Sequence, residues 1–142
     1  MTLDEFDYKI LNQLKKNARI AYATIGKDIG LTAPAVAKRV QKMEIGGLIK
    51  GYTLDLDHSK LGHSIKALIT IKLGFPKLHE FKKEVHRFEP IQACYRVTGE
   101  DCMMMEVLLK DNDHLVTFLD ELSAYGITKT NIVLNDLINK KG

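Results

Sequence analysis

The sequence predicts an α+β protein in two parts, a helical head followed by a βαββαβ sandwich, and three observations predict it. Before residue 46, apolar residues recur at helical spacing in three short successive segments. After residue 61, strand-like and helix-like patterns alternate in the order β-α-β-β-α-β. The third observation is charge: residues 1–50 carry 9 Lys/Arg against 5 Asp/Glu, whereas residues 51–142 carry 12 against 13. A basic head on a neutral body is the electrostatic outline of a protein that meets a polyanion through its first third.

Within the head, Thr2 and Glu5 stand at capping-box spacing, so a first helix is expected to run to about Lys16. Leu3, Phe6, Ile10 and Leu14 would line its apolar face. A second helix is expected from Tyr22 to Ile29; Ala21 gives it no capping side chain, and Gly26 admits a close neighbour. Gly30 supplies a turn. A third helix then spans Thr32 to Met43, with Thr32 as N-cap and Pro34 in the first turn. Val36, Val40 and Met43 share its apolar side; Ala35, Lys38 and Lys42 cluster opposite, with Arg39 on their flank. Two short helices joined by a tight turn, the second one basic, form the helix-turn-helix pattern. Gly46 and Gly47 end this helix, Leu48–Leu54 alternates as a strand, and 55–60 is polar and turn-like.

The body begins at Leu61-Gly62. A strand is expected at Ile65–Leu73, a helix at Lys77–Phe88 and two strands at Ile91–Val97 and Met103–Leu109 around Thr98-Gly99-Glu100-Asp101. Asn112 or Asp113 caps a helix to about Tyr125, and Ile127–Ile138 reads as a long final strand. This order points to a ferredoxin-like antiparallel sheet with two helices on one face. The expected division is 1–50 for the helical head, 51–61 for a linking strand and turn, and 62–142 for the sandwich.

The function classes excluded are informative. A length of 142 residues with 45% apolar and 27% charged side chains describes a globular chain. No run of about 18 apolar residues exists, so no membrane partner is expected. The acidic opening Met1-Thr2-Leu3-Asp4-Glu5 is unlike a signal peptide, and a cytoplasmic location is expected. Two cysteines, Cys94 and Cys102, make neither a disulfide framework nor a four-ligand metal site. Of His58, His63, His79, His86 and His114, only His79 and His86 share a helix, seven apart, without a further ligand at helical spacing. No metal, cofactor or catalytic residue is therefore expected.

In their order, the motifs are similar to those of the leucine-responsive regulator/AsnC (feast/famine) family of transcription factors. The resemblance rests on Leu3-Asp4-x-x-Asp7-x-x-Ile10-Leu11-x-x-Leu14, on Gly30-Leu31-Thr32-x-x-x-Val36-x-x-Arg39-Val40 and on Glu44-x-x-Gly47-Leu48-Ile49-x-Gly51-Tyr52. It continues through Leu61-Gly62, Val97-Thr98-Gly99-x-Asp101 and Thr128-x-Thr130, and so covers nearly the whole chain. Ala21 and Gly26 depart from the Ser and Ala usual in the second helix, Met43 replaces a Leu, and Cys102 stands where many relatives have an acid. The loop Tyr125-Gly126-Ile127 also looks shorter than usual.

The resemblance implies a winged-type helix-turn-helix that binds double-stranded DNA and a ferredoxin-like domain that senses a small-molecule effector and assembles the protein. For DNA, the expected residues are Thr32, Ala33, Pro34, Ala35, Lys38, Arg39 and Lys42, with Lys38 at base edges and Arg39 positioning the helix on phosphate or base. Lys27 and Lys50 would add backbone contacts. For the effector, an amino acid or related metabolite, the expected residues are Thr98, Gly99, Glu100, Asp101, Cys102, Thr128 and Thr130. The turn would offer N–H groups to a carboxylate, and Glu100 or Asp101 would hold an ammonium. A homodimer is implied, assembling into a tetramer or octamer, with Leu48–Leu54 crossing to the partner. Two alternatives stand beside this regulator: a nucleoid-organising protein with little ligand response, and a relative of the haem-precursor decarboxylases. The enzyme would need basic and histidine side chains converging on the open sheet face, where the strands offer only Lys66, Lys72 and Arg96.

Overall fold

The computed structural model describes residues 1–138 and resolves them into two compact units, Met1–Asp55 and Leu56–Ile138. The last four residues of the expected second domain lie outside the described residues.

The first unit is built from α1 (Glu5–Lys16), α2 (Tyr22–Ile29) and α3 (Ala33–Ile45). Their apolar stripes meet in a core of Ile10, Leu14, Ile25, Val36, Val40 and Met43, with Leu3, Leu11, Ile20 and Ile49 packed at its edge. The start of α1 differs from expectation. The capping box is Asp4 with Asp7: the Asp7 N–H donates to Asp4 Oδ1 and the Asp4 N–H to Asp7 Oδ2, both at 3.0 Å. At the N-cap, the Asp4 carboxylate accepts its bond more strongly at the positive end of the helix than the Thr2 hydroxyl would. Phe6 is also moved off the apolar stripe; 36% exposed, it lies beneath the Arg39 guanidinium at 5.3 Å.

Between α2 and α3 the chain turns on Gly30 at φ +80°. The Leu31 N–H donates to the Gly26 carbonyl at 2.8 Å, and a Cβ on Gly26 would lie 2.3 Å from the Leu31 oxygen. Gly26 therefore admits the turn itself rather than a passing helix. Helix α3 runs two residues beyond Met43 before Gly46 and Gly47 end it. The expected strand Leu48–Leu54 is absent: the Leu48 and Ile49 N–H groups fold back onto the Met43 carbonyl, and 50–54 pairs with no strand among the described residues. Leu48, Tyr52, Leu54 and Leu56 are consequently exposed along it.

The second unit is a four-stranded antiparallel sheet of β1 (Ile65–Lys72), β2 (Ile91–Arg96), β3 (Met103–Leu109) and β4 (Ile127–Ile132), in the order β2-β3-β1-β4. Helices α4 (Phe75–Glu84) and α5 (Asn112–Ser123) complete the βαββαβ order. Alternation puts Ala67, Ile69, Ile71, Met103, Met105, Val107 and Leu109 on one face, where they bury Phe81, Phe118 and Leu122 of the helices. Phe88 and Tyr125 close this core edge-to-face with Phe118 and Phe81. Gly126 brings the last turn against β1; a Cβ there would lie 2.1 Å from the Lys72 oxygen.

Several boundaries move. Gly74 caps α4 and Pro76 sits in its first turn, so the helix starts earlier and tightens into a 3₁₀ turn at Val85–Arg87. Strand β2 stops at Arg96. Strand β4 is half the expected length, because its partner runs out: Ile132 faces Ala67, Val133 donates one last bond to the Lys66 carbonyl, and β1 begins at Ile65. The following residues, 133–138, leave Leu134, Leu137 and Ile138 exposed.

Candidate DNA-reading and effector sites

Each unit carries its own site. On α3, Thr32 Oγ1 accepts the Ala35 N–H at 3.3 Å, which fixes the helix start, and Pro34 occupies the first turn where a missing N–H costs nothing. With Val36, Val40 and Met43 buried, the helix turns Pro34, Lys38 and Lys42 outward and leaves Ala33 and Ala35 half-buried. A groove of about 590 Å³ runs beside them, bordered also by Thr2, Gln41 and Ile45. Ile45 is 81% exposed at its far end. Gln41 and Ile45 were not expected in this face; the helix running on past Met43 is what places Ile45 there.

Arg39 behaves differently from the two lysines. Its Nη1 donates to Asp4 Oδ1 at 2.8 Å, Asp4 Oδ2 at 2.7 Å and Asp7 Oδ1 at 2.9 Å, tying α3 to the start of α1. Asp7, 7% exposed, is the one buried charged side chain among the described residues. Bonding to Arg39 and to the Asp7 N–H holds the Asp4 carboxyl below its ordinary range, and the two carboxylates raise Arg39 in turn. The signal for this cluster was in the sequence as the spacing Asp4-x-x-Asp7, which also fits a capping box. Lys27 and Lys50 are both exposed. Behind α3, Tyr52 donates its hydroxyl to Glu44 at 2.7 Å; local burial first, and that carboxylate second, push its pKa up to about 12.

In the second unit, residues 97–102 form a tight hairpin closed by the Val97 N–H and the Cys102 carbonyl at 3.0 Å, with Gly99 at φ +106°. Thr98, Gly99 and Glu100 are exposed at its tip. The structure divides the expected effector residues. The Asp101 carboxylate meets Lys129 Nζ at 3.4 Å. Lys129 faces Thr70 across the β1–β4 ladder, whereas Thr128 and Thr130 face Ile71 and Ile69, on the helix-covered side. Cys102 turns inward, its sulfur accepting the Leu73 N–H at 3.3 Å and packing at the core edge. Of the Thr128-x-Thr130 stretch, the middle residue Lys129 is thus the one that reaches the hairpin.

Cys94 packs at the core edge, and burial pushes its thiol pKa up. His114 Nδ1 accepts the Lys110 N–H at 3.1 Å, and His58 and His63 meet edge-to-face at 6.3 Å. No group of three or more metal-ligating side chains occurs among the described residues, and no helix among them is long and apolar enough to cross a membrane. Register puts Lys66 and Lys72 on the open sheet face but Arg96, paired with Met103, on the opposite one.

Known proteins resemble both units. Residues 3–44 match the AsnC-type helix-turn-helix domain and residues 66–142 the Lrp/AsnC ligand binding domain. The HTH-type transcriptional regulator LrpC of Bacillus subtilis is 30% identical over 142 residues, covering 100% of this chain and 99% of that protein. Its namesake LrpA from the same organism is 34% identical over 137 residues, covering 93% and 98%. The solved structure of LrpC superposes with a TM-score of 0.92 over 99% of this chain and 100% of that one. A transcriptional regulator of Neisseria meningitidis, solved in complex with L-methionine, shares the fold at a TM-score of 0.92 and 21% identity, covering 98% of this chain and 94% of that one. Matched in both parts and over its whole length, the chain belongs to the Lrp/AsnC family of helix-turn-helix transcriptional regulators.

Proposed function

We propose that this regulator reads double-stranded DNA with α3 and answers to an amino acid bound near the 97–102 hairpin. The observation that carries the DNA reading is the division of labour on α3. Lys38 and Lys42 stand exposed at helical spacing beside the half-buried Ala35, while Arg39 is held by Asp4 and Asp7. A helix with a small residue between outward lysines can enter a major groove closely and deliver donors to phosphates and base edges. Lys38 and Lys42 are the donors, Thr32 to Ala35 form the entering end, and Arg39 sets the helix in position.

Support for an amino-acid effector comes from the Gly99 turn and its acidic neighbours, and from the L-methionine bound by the Neisseria relative. Self-assembly is supported by the exposed Leu54 and Leu56, and by Leu68, Tyr95 and Met104 on the open sheet face. A homodimer, itself building tetramers or octamers in the cytoplasm, would present paired α3 helices to half-sites about 10 bp apart or multiples of that.

The test is gel-shift titration on duplexes enriched from a randomised pool. The parent retains a discrete consensus, and Lys38→Ala and Lys42→Ala each weaken it about tenfold, as expected when one charged interaction is removed. Failure to enrich any consensus would favour broad DNA coating; undiminished binding by both variants would remove α3 from the interface.

A further inference from the structure

We propose that Gln41 is a base-reading residue of α3, its side-chain amide pairing with the edge of one adenine in the major groove. This rests on the DNA reading above and adds to it a determinant of specificity, since Lys38 and Lys42 supply charge and Arg39 position. Gln41 is exposed and borders the same groove as Lys38, Lys42 and Ile45. With Val36, Val40 and Met43 buried, helical spacing sets it on the outward stripe that runs from Pro34 through Lys38 to Ile45.

The amide is also unengaged. Gln13 donates to Asp28 at 2.7 Å and Gln92 to the Pro90 carbonyl at 3.3 Å, whereas the Gln41 side chain makes no hydrogen bond among the described residues. Its neighbours on the outward stripe cannot complete it: Lys38 and Lys42 only donate, and Ile45 does neither. The carboxylates that border the groove, Asp4 and Asp7, are already taken by Arg39. A side-chain amide holds a donor and an acceptor side by side, which matches adenine, whose N7 accepts and whose N6 amino group donates. Guanine shows two acceptors at that edge, N7 and O6, so one of them would face the amide oxygen. Cytosine and thymine offer one polar group each and leave half of the amide unpaired, which costs affinity once water is excluded. Because Gln41 is uncharged, this contact separates sequences without adding to the salt-dependent attraction.

Gel-shift competition with the full chain tests this on the duplex enriched from a randomised pool, each consensus position being changed in turn to the other three base pairs. For the parent, replacing one particular adenine should weaken binding about tenfold. Gln41→Ala should bind the enriched duplex about tenfold more weakly and treat all four pairs at that position alike. Its other preferences and its slope of log K against log salt should stay as in the parent. Gln41→Lys should turn the preference at that position to guanine, whose N7 and O6 both accept. Unchanged unfolding midpoints establish that the variants fold. If Gln41→Ala keeps every base preference of the parent, or relaxes a position that is not an A·T pair, the proposal falls. The DNA reading then still stands on the weakened Lys38→Ala and Lys42→Ala variants. If those two bind undiminished, or the parent enriches no consensus, the reading of bases by α3 falls and this proposal with it.

Discussion

Arg39 gathers three carboxylate oxygens on one nitrogen, and two of its consequences are measurable. Removing it leaves the buried Asp7 without its cation, so Arg39→Ala should destabilise the first unit by about 1–3 kcal/mol. Thermal unfolding followed by circular dichroism checks this. Because the Asp4 carboxyl is held below its ordinary value, its contribution is full above that value and is lost as pH falls through the lowered one. The variant lacks that contribution, so its unfolding midpoint should fall less on acidification than the parent's. Tyr52 has the opposite sign. Raised to about 12, its contribution is full below pH 10 and is lost between there and about pH 12. Tyrosinate absorbance should show a late-titrating step in the parent that is missing from Tyr52→Phe. At this scale the sequence disclosed which residue types stand on α3 but not their partners. Nothing in Arg39 itself distinguishes a phosphate contact from an internal one, since both need the same guanidinium.

At the scale of elements, Gly26 shows a local pattern and a tertiary contact in opposition. Alanine is the better helix former by about 1 kcal/mol, yet a Cβ there would meet the Leu31 carbonyl at 2.3 Å. Backbone cannot yield as a flexible side chain does, so Gly26→Ala should cost roughly 1–3 kcal/mol net and lower the unfolding midpoint. An equal or higher midpoint would show that the α2–α3 turn is looser than this geometry. Helices α1, α2 and α3 were legible from periodicity, and the alternation of β1 and β3 was equally plain. What periodicity cannot supply is a partner. Leu48–Leu54 alternates like a strand but pairs with no strand among the described residues of its own chain, and β4 stops where β1 offers no further residues. Strand extent is decided by the ladder, helix extent largely by the segment's own stripe and caps.

For the whole molecule, the charge asymmetry of the sequence acquires a location. The excess of Lys/Arg lies in the unit that carries α3, and the acidic hairpin residues Glu100 and Asp101 lie in the other. On the proposed reading, DNA recognition and effector binding are carried by separately packed units. On the same reading, the exposed apolar residues of 48–56 and of the open sheet face would give copies of the chain a surface on which to assemble. The claim on which this account turns is that α3 meets the DNA through Lys38 and Lys42 while Arg39 only holds it in place. The most direct measurement is the salt dependence of binding to an enriched duplex. For the Lys38→Ala, Lys42→Ala double variant, the slope of log K against log salt should become shallower by ~0.9 for each phosphate no longer neutralised. For Arg39→Ala, affinity should fall with the slope unchanged. A double variant that keeps the parent's affinity and slope, or an Arg39→Ala slope that becomes shallower by ~0.9, would contradict it.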